Sequence, residues 1–464
     1  MIRIRWMLVS LLLVPAAWAA DPEPLSRIGF GSCVHQDKKQ VIWDRIIEAR
    51  PQMFLLLGDN MYADYPEKTP IDEAYRKMNA VRGFKKLRES CPLLGTWDDH
   101  DYGVNDAGVE YPDKKKSQQL LLDFFNVPAD SPRRKREGVY HAEIHGPPGK
   151  RVQFIMLDGR YHRSQLKKGP RGSAPGYPRL VPYVANNDPA ATFLGIDQWR
   201  WLEEQLKQPA ELRLIGSGIQ VISEDHPFEK WMNIPHERER LFALLRSTKA
   251  AGVIFLSGDR HMADLSVMDA GIGYPLYDLT ASGFNQASED YRVPEKNRHR
   301  VATLSWGHHF GFIEIDWNQK DPLIRLQIRE EDGQIAFQHK VPFSALKPDE
   351  SRADKPVGPG AISTGEASRR IGEKVTLEMT VQATGGNPKK RFFLNSEKNF
   401  RDERNFTIVL EMGMAAEKFA AAKITDPAKY YAGKTIRVTG TVTKYMDRPE
   451  IIVTDPKQIQ IVEK

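Results

Sequence analysis

Four apolar stretches of the chain each run into an aspartate, and two of them carry a histidine in the same tail. Met53–Tyr62 reads MFLLLGDNMY, Pro92–Asp101 reads PLLGTWDDHD, Val152–Arg160 reads VQFIMLDGR, and Val253–His261 reads VIFLSGDRH. Carboxylates are rarely buried without a partner, and several brought together repel unless a cation lies between them. Asp, His and Asn donors suit hard or borderline dications, and a neutral imidazole can shuttle a proton near neutral pH. The second tail and the residues after it hold Asp98, Asp99, His100, Asp101, Asn105 and Asp106, more polar groups than a turn needs. In the fourth, alternation along an extended chain would send Asp259 and His261 to one side and Arg260 to the other. The chemistry this predicts is hydrolysis at a multi-metal site on the rim of a sheet. The plainer reading, an Asp that caps the next helix, serves one such segment better than all four.

The elements that must position these residues are legible as alternating strand and helix patterns. Arg27–Cys33 reads as a strand. Residues 37–50 then place Val41, Ile42, Ile46 and Ile47 at helical spacing before Pro51. Further helices are predicted over 71–89, 114–125, 194–206 (Trp199 and Leu202 inward) and 236–248, with another strand at 212–222. The β–α–β order predicts parallel strands flanked by helices, with chemistry just beyond the strands' carboxyl ends. Alternating strands follow at 312–317 and 323–329. The long Gly/Pro-containing excursion 161–192, with Arg160 before it, could present Arg160, His162, Arg163, Lys167 and Lys168 to an anionic substrate. RRKRE at 133–137 reads as a solvated basic loop, a phosphate-rich partner being the alternative, and His308-His309 could approach the site, with an exposed pair as the plainer reading. Ser217, Gly218 and Gln220 would support the site at most, and His226 and Trp231 would form pocket wall or structure.

At 464 residues, with 41% hydrophobic and 28% charged residues, the chain has the composition of a soluble globular protein of two domains. Residues 1–20 have Arg3 and Arg5, a short apolar core, and Ala17 and Ala19 near their end. That is the pattern of a general-secretion signal peptide, and it predicts a periplasmic or extracellular protein with no integral membrane segment after cleavage. Removing the two arginines takes the formal charge from +6 to +4, which says little about partners. The two cysteines, Cys33 and Cys91, leave a disulfide and a Cys33 metal ligand equally open. A polar segment at 346–368 reads as a linker between a domain over 21–345 and one over 369–464. The latter has short alternating strands and one helix before the fourth, which predicts a small five-stranded barrel of OB type. Its Phe392, Phe393, Lys389, Lys390 and Arg391 could bind nucleic acid or could be core and turn.

No Walker, Rossmann, G-x-S-x-G or HExxH pattern is present, which turns the reading away from nucleotide triphosphatases, dehydrogenases, serine hydrolases and zincins. FGSC (30–33), GDNMY (58–62), WDDHD with Asn105, LDGR (157–160), QWRWL (198–202) and SGDRH (257–261) together resemble the PhoD-like alkaline phosphatase/phosphodiesterase family of the calcineurin-like metallophosphatases. The resemblance covers roughly 25–320. It implies a four-layer α/β/β/α sandwich that hydrolyses phosphomonoesters or phosphodiesters at an iron–calcium centre, Zn2+ or Mn2+ being alternatives to Fe3+ and Ca2+. By motif, Cys33, Asp59, Tyr62 and His261 would surround iron, while Asp59, Asn105 and Asp259 would hold calcium. The resemblance favours the ligand role for Cys33 over the disulfide. From their places in the motifs, Arg160 and Arg260 would steady phosphate oxygens and His100 would protonate the leaving group. The chain departs from the family in having no twin-arginine leader and in adding the C-terminal barrel.

Overall fold

Met53, Leu55 and Leu57 face one core while Phe54 and Leu56 face another, the signature of a strand buried on both sides. The computed structural model describes residues 23–64, 68–349, 361–387 and 390–462. The leader expected over 1–20, Lys389 and the middle of the expected linker lie outside them. The Met53–Leu57 strand pairs in parallel with Arg27–Gly31 and Leu93–Thr96. On the far side of Arg27–Gly31, His309–Asp316, Leu323–Glu330 and Ile335–Pro342 extend the sheet antiparallel to six strands.

A second sheet of seven strands runs in the order Arg300–Leu304, Ala263–Asp269, Pro275–Ala281, Val253–Ser257, Leu212–Ser217, Val152–Met156, His141–His145. Its four central strands are parallel. The two sheets share one apolar core, to which Ile28, Leu55 and Leu57 contribute from the first and Phe154, Leu214 and Phe255 from the second. Each such Leu, taken fully out of water, contributes about 1.5–3 kcal/mol. Contact between the sheets is close enough that a Cβ on Gly216 would meet a Leu57 methyl at 3.0 Å.

Helices cover both outer faces. Trp43, Met78, Phe84, Leu87 and Leu121 pack over Phe54 and Leu56 of the first sheet. Trp199, Leu202, Leu241 and Phe242, from Ile196–Leu206 and Pro235–Ser247, join the core of the second. This is the expected four-layer α/β/β/α sandwich. The helix predicted over 71–89 is two helices, Ile71–Ala80 and Arg82–Ser90. The β-branched Val81 between them is extended (φ −62°, ψ 121°), and apolar periodicity alone did not reveal the break.

The C-terminal barrel has the OB order. Lys374–Thr380 pairs with Thr435–Tyr445, which pairs with Arg448–Val453; that strand lies parallel to Thr407–Glu411, followed by Arg391–Asn395 and Ala383–Asn387. Only Val381 and Gln382 separate Lys374–Thr380 from Ala383–Asn387. Taken as one bent strand, these two segments close the barrel. A helix, Met412–Ala421, precedes the fourth strand as predicted, and Phe392 is core while Phe393 faces outward. Among the described residues no helix is long and apolar enough to cross a membrane.

Candidate metal centre

Loops leaving the carboxyl ends of both sheets converge on one rim, and three glycines allow the approach. A Cβ on Gly58 would lie 2.5 Å from the Asp98 backbone nitrogen, one on Gly218 at 2.5 Å from Asp98 Oδ1, and one on Gly258 at 2.6 Å from Ser32 Oγ. The residues these loops deliver are bent sharply. Cys33 (φ 63°), Asp59 (49°), Asp259 (67°) and His261 (53°) all occupy the left-handed region, which costs a non-glycine residue roughly 1–2 kcal/mol. Non-glycine backbone held there is a feature of functional sites.

Two overlapping donor groups result. In the first, the Cys33 thiol donates to Asp59 Oδ2 (3.4 Å), the Tyr62 hydroxyl donates to the same oxygen (3.0 Å), and Tyr62 Oη lies 3.0 Å from His261 Nε2. Ser282 Oγ sits 3.1 Å from the Cys33 sulfur and accepts the His261 N–H at 2.8 Å, steadying both. In the second, Asp98, Asp99 and Asp259 bring carboxylate oxygens within 4.8 Å of one another, and Asp99 does the same with Asp59 and His100 and with Asp106 and Glu229. Asp99 is the hub, the residue shared by three groups.

The charges explain what such a cluster needs. Burial raises the Asp59 carboxyl well above its usual range, and neighbouring Asp99 raises it further. Burial and Asp59 likewise push the Cys33 thiol and the Tyr62 phenol up. Asp259 rises to about 6, through burial that outweighs its Arg260 partner. His261 falls to about 3, because burial disfavours its charge and the cations Arg260, His100 and Arg292 add to the effect. Neutral imidazole, thiolate, phenolate and carboxylates are the ligand forms of these groups, and a dication among them would reverse the burdens that burial imposes. Asp98 Oδ2 is buried and makes no hydrogen bond among the described residues. A set of acidic donors, one of whose members keeps a buried oxygen without a hydrogen bond among the described residues, fits a pair of bound cations.

His100 stands beside the cluster. Its Nδ1 lies 2.5 Å from Asp64 Oδ1, its ring centroid is 4.2 Å from that of Tyr62, and its backbone N–H donates to Asp99 Oδ1 at 2.9 Å. Burial opposes its charge, but Asp99, Asp59 and the Asp64 bond prevail and lift it to about 11.

The structure thus gathers Cys33, Asp59, Tyr62, Asp259 and His261, with His100 adjacent. Asp259 and His261 arrive through their left-handed backbone and not by strand alternation, since the strand ends at Ser257. Asn105 does not join them: it is exposed, and its backbone N–H donates to Asp64 Oδ2 at 2.8 Å. Asp99 lies where Asn105 was expected.

Arg160 is also reassigned. It is fully buried, its Nε donates to Asp98 Oδ1 (2.7 Å), and Nη1 and Nη2 hold both oxygens of Glu229 (2.9 and 2.6 Å), so it positions Asp98 and faces no substrate. Arg260 is held by Asp259 (3.0 Å) and Glu295 and lies over the Phe228 ring, which likewise removes it from free phosphate binding. Arg163 is buried against Glu229.

Asp158, the third strand-end aspartate, accepts N–H bonds from Arg160, Tyr161 and Val139 and from the Trp97 indole, and so is a loop anchor. Asp101 anchors similarly, accepting from the backbone of Asp98, Asp59 and Asn60. Asp101 reaches back to the N-cap of its own helical turn, which is the plainer reading of a strand-end acid, whereas Asp158 ties loops together and caps no helix. His309 is buried, contrary to the exposed pair expected, and Arg134 and Arg136 of the basic loop are bonded to backbone carbonyls. Cys33 and Cys91 are both free thiols.

Sequence reasoning missed Glu229, Asp64 and Ser282: Asp64 lies two residues past the GDNMY motif, and neither Glu229 nor Ser282 belongs to any of the quoted motifs. Asp98 and Asp99 stood in the WDDHD motif, but nothing in the spacing singled them out from their neighbours.

A two-sheet sandwich with acidic donors gathered at the carboxyl ends of its parallel strands defines a metallophosphatase. Residues 28–320 match the model of the PhoD-like phosphatases, well over half the chain, and the protein belongs to that family. A solved structure titled "Structure of PhoD" is similar in fold, with a TM-score of 0.54 and 16% identity over 70% of this chain and 72% of that one. A 5'-nucleotidase precursor from Thermus thermophilus (TM-score 0.31, 12% identity, 70% and 56% covered) and Vps29 from Chaetomium thermophilum (0.28, 8%, 70% and 100%) match at a greater distance. No curated protein matches by sequence. Membership of this family makes the chain a phosphoester hydrolase and implies metal ions.

Proposed function

We propose that the protein is an exported, metal-dependent phosphomonoesterase and phosphodiesterase whose two cations are held by Cys33, Asp59, Tyr62 and His261 on one side and by Asp59, Asp98, Asp99 and Asp259 on the other. The observation that carries this is the buried cluster of acids, mutually destabilised as anions, with Asp98 Oδ2 left without a hydrogen-bond partner among the described residues. Thiolate, phenolate and imidazole donors favour a ferric or comparable transition ion at the first position, and carboxylates favour Ca2+ or a similar hard ion at the second. Bound there, such ions supply Lewis acidity, activating water and neutralising the phosphoryl oxygens.

The chain's own residues do the rest. Asp64 orients the His100 ring through Nδ1, leaving Nε2 with no hydrogen bond among the described residues and free to give a proton to the departing oxygen. Arg160 fixes Asp98, and Arg260 fixes Asp259. The leader pattern at 1–20 supports export, and the Pro/Gly-bearing segment 346–368 supports a catalytic unit over 21–345 joined to a separate barrel over 369–464.

The test is hydrolysis of a chromogenic monoester and diester by the full chain, before and after chelator treatment, with iron and calcium, zinc or manganese restored. Turnover that survives complete metal removal, or absence of turnover in every metal regime with the fold intact, would sink the proposal. Metal content of Cys33→Ala reports on the ligand set independently of turnover. The barrel's exposed Phe393, Phe400 and Tyr445 favour a second role for that unit, stacking on single-stranded nucleic acid. Band-shift titration with and without Phe393→Ala tests it, and equal affinity would dismiss it.

A further inference from the structure

The arginines of the catalytic rim differ in what they hold. A phosphate ester approaching the Asp99 hub needs a cation that the protein's own carboxylates have not already engaged. Arg160 is claimed by Asp98 and Glu229, Arg163 by Glu229, and Arg260 by Asp259 and Glu295. Further out, Arg300 pairs with Asp264 and Arg298 with Asp225. Arg292 is different. It is exposed, and it has no carboxylate within ion-pair distance among the described residues. Its Nη2 donates to the carbonyl of Arg260 at 3.1 Å, and Arg260 is the residue between Asp259 and His261. One face of the guanidinium is therefore anchored beside two donors of the cluster while its other N–H groups remain open.

The backbone that carries it is fixed on both sides. Ser305 Oγ donates to the Arg292 carbonyl (2.7 Å), Gly307 N–H donates to the Ser288 carbonyl (2.7 Å), and the Tyr291 and Trp306 rings pack edge to face at 5.3 Å. A guanidinium held this way is pre-organised for the planar, two-toothed recognition of phosphate oxygens.

We propose that Arg292 binds the non-bridging phosphoryl oxygens of the substrate and favours phosphomonoester dianions over diester monoanions. This rests on the phosphoesterase reading above. A dianion leans on the extra positive charge more than a monoanion does, so losing it weighs more on the monoester.

The experiment compares kcat/KM for p-nitrophenyl phosphate and bis(p-nitrophenyl) phosphate at equal metal loading, in the wild type, Arg292→Ala, Arg292→Lys and the charge control Arg298→Ala. Calorimetric titration of the wild type and Arg292→Ala with inorganic phosphate accompanies it. Arg292→Ala is expected to lose roughly 10- to 100-fold on the monoester, distinctly less on the diester, and to bind phosphate correspondingly more weakly. Arg292→Lys falls between, and Arg298→Ala is unchanged. Equal losses on both esters, or no loss, overturn the proposal. If the wild type hydrolyses neither ester, it is the phosphoesterase reading that fails. Phosphate titration then still decides on Arg292, unchanged affinity or no measurable binding in the wild type counting against it.

Discussion

Replacing Arg160 by alanine separates a positioning role from a substrate-facing one. Arg160 is 1% exposed and holds Asp98 and Glu229, themselves almost fully buried, with contacts of 2.5–2.9 Å. Removing one partner of a buried ion pair leaves an uncompensated charge and typically costs about 3–5 kcal/mol. Here two carboxylates lose their counter-ion, and only Glu229 keeps another, Arg163 at 3.0 Å. At the usual unfolding entropy of about 2.1 cal/mol/K per residue, a unit as large as 21–345 shifts by roughly 1.5 °C per kcal/mol, so the thermal midpoint should fall by roughly 4–8 °C.

The assay is thermal unfolding followed by near-ultraviolet dichroism, on chelator-stripped and metal-loaded protein, with metal content measured in parallel. Metal stoichiometry should fall too, because Asp98 loses the group that orients it. Arg160 and Glu229 should couple: adding Glu229→Gln to Arg160→Ala should cost less than Glu229→Gln alone, since the orphaned charge is what hurts. A variant that melts within about 1 °C of wild type, keeps its metals and loses only turnover would refute this account and return Arg160 to the substrate.

Further outcomes follow from the same geometry. Asp99→Ala should lower metal content more than Asn105→Ala, because Asp99 is shared by three donor groups and Asn105 is exposed; equal loss in elemental analysis would contradict that. Gly58→Ala should destabilise by about 1–3 kcal/mol, since its Cβ would lie 2.5 Å from Asp98 at a φ of +99°; an unchanged melting curve would count against the tight convergence of loops.

Metal-free protein should lose stability as pH rises from 6.5 towards 11. His100 is raised from 6.5 to about 11, so its contribution is fully present below 6.5 and lost as pH climbs through the higher value. The Cys33 thiol, raised above 9.0, acts in the same direction at higher pH. Metal binding requires the Cys33 proton to leave while His100 keeps its own, so the gap in melting temperature between loaded and stripped protein should widen with pH as the thiol's range is approached; a constant gap would exclude the linkage.

Much of this was legible in the sequence because strand-end chemistry is local. Asp59 and Asp259 follow directly on buried apolar strands, and the helical periodicities at 114–125 and 236–248 match the helices Lys114–Phe124 and Pro235–Ser247. What the chain order concealed was pairing. Nothing near LDGR says that Arg160 will meet a glutamate in the loop at 229, or that Asp158 will turn back to bind backbone N–H groups. A cation's availability depends on which acids fold against it, and those acids lie 62 and 69 positions away. Asp99 and Asn105 sit six positions apart, and which of the two is buried is decided by the helical turn Asp99–Tyr102.

The left-handed backbone at Cys33, Asp59, Asp259 and His261 has a consequence for how the protein would respond to selection. Glycine adopts that conformation without penalty, so at each of these positions a glycine substitution should relieve local strain and remove a buried or half-buried donor together. A library screened for thermal robustness in the absence of metal should therefore enrich glycine at the four positions. The same library screened for turnover should eliminate it there. These positions mark a trade-off between durability and activity written into the backbone, and a stabilised scaffold made from this chain would be most easily obtained by erasing what it is for.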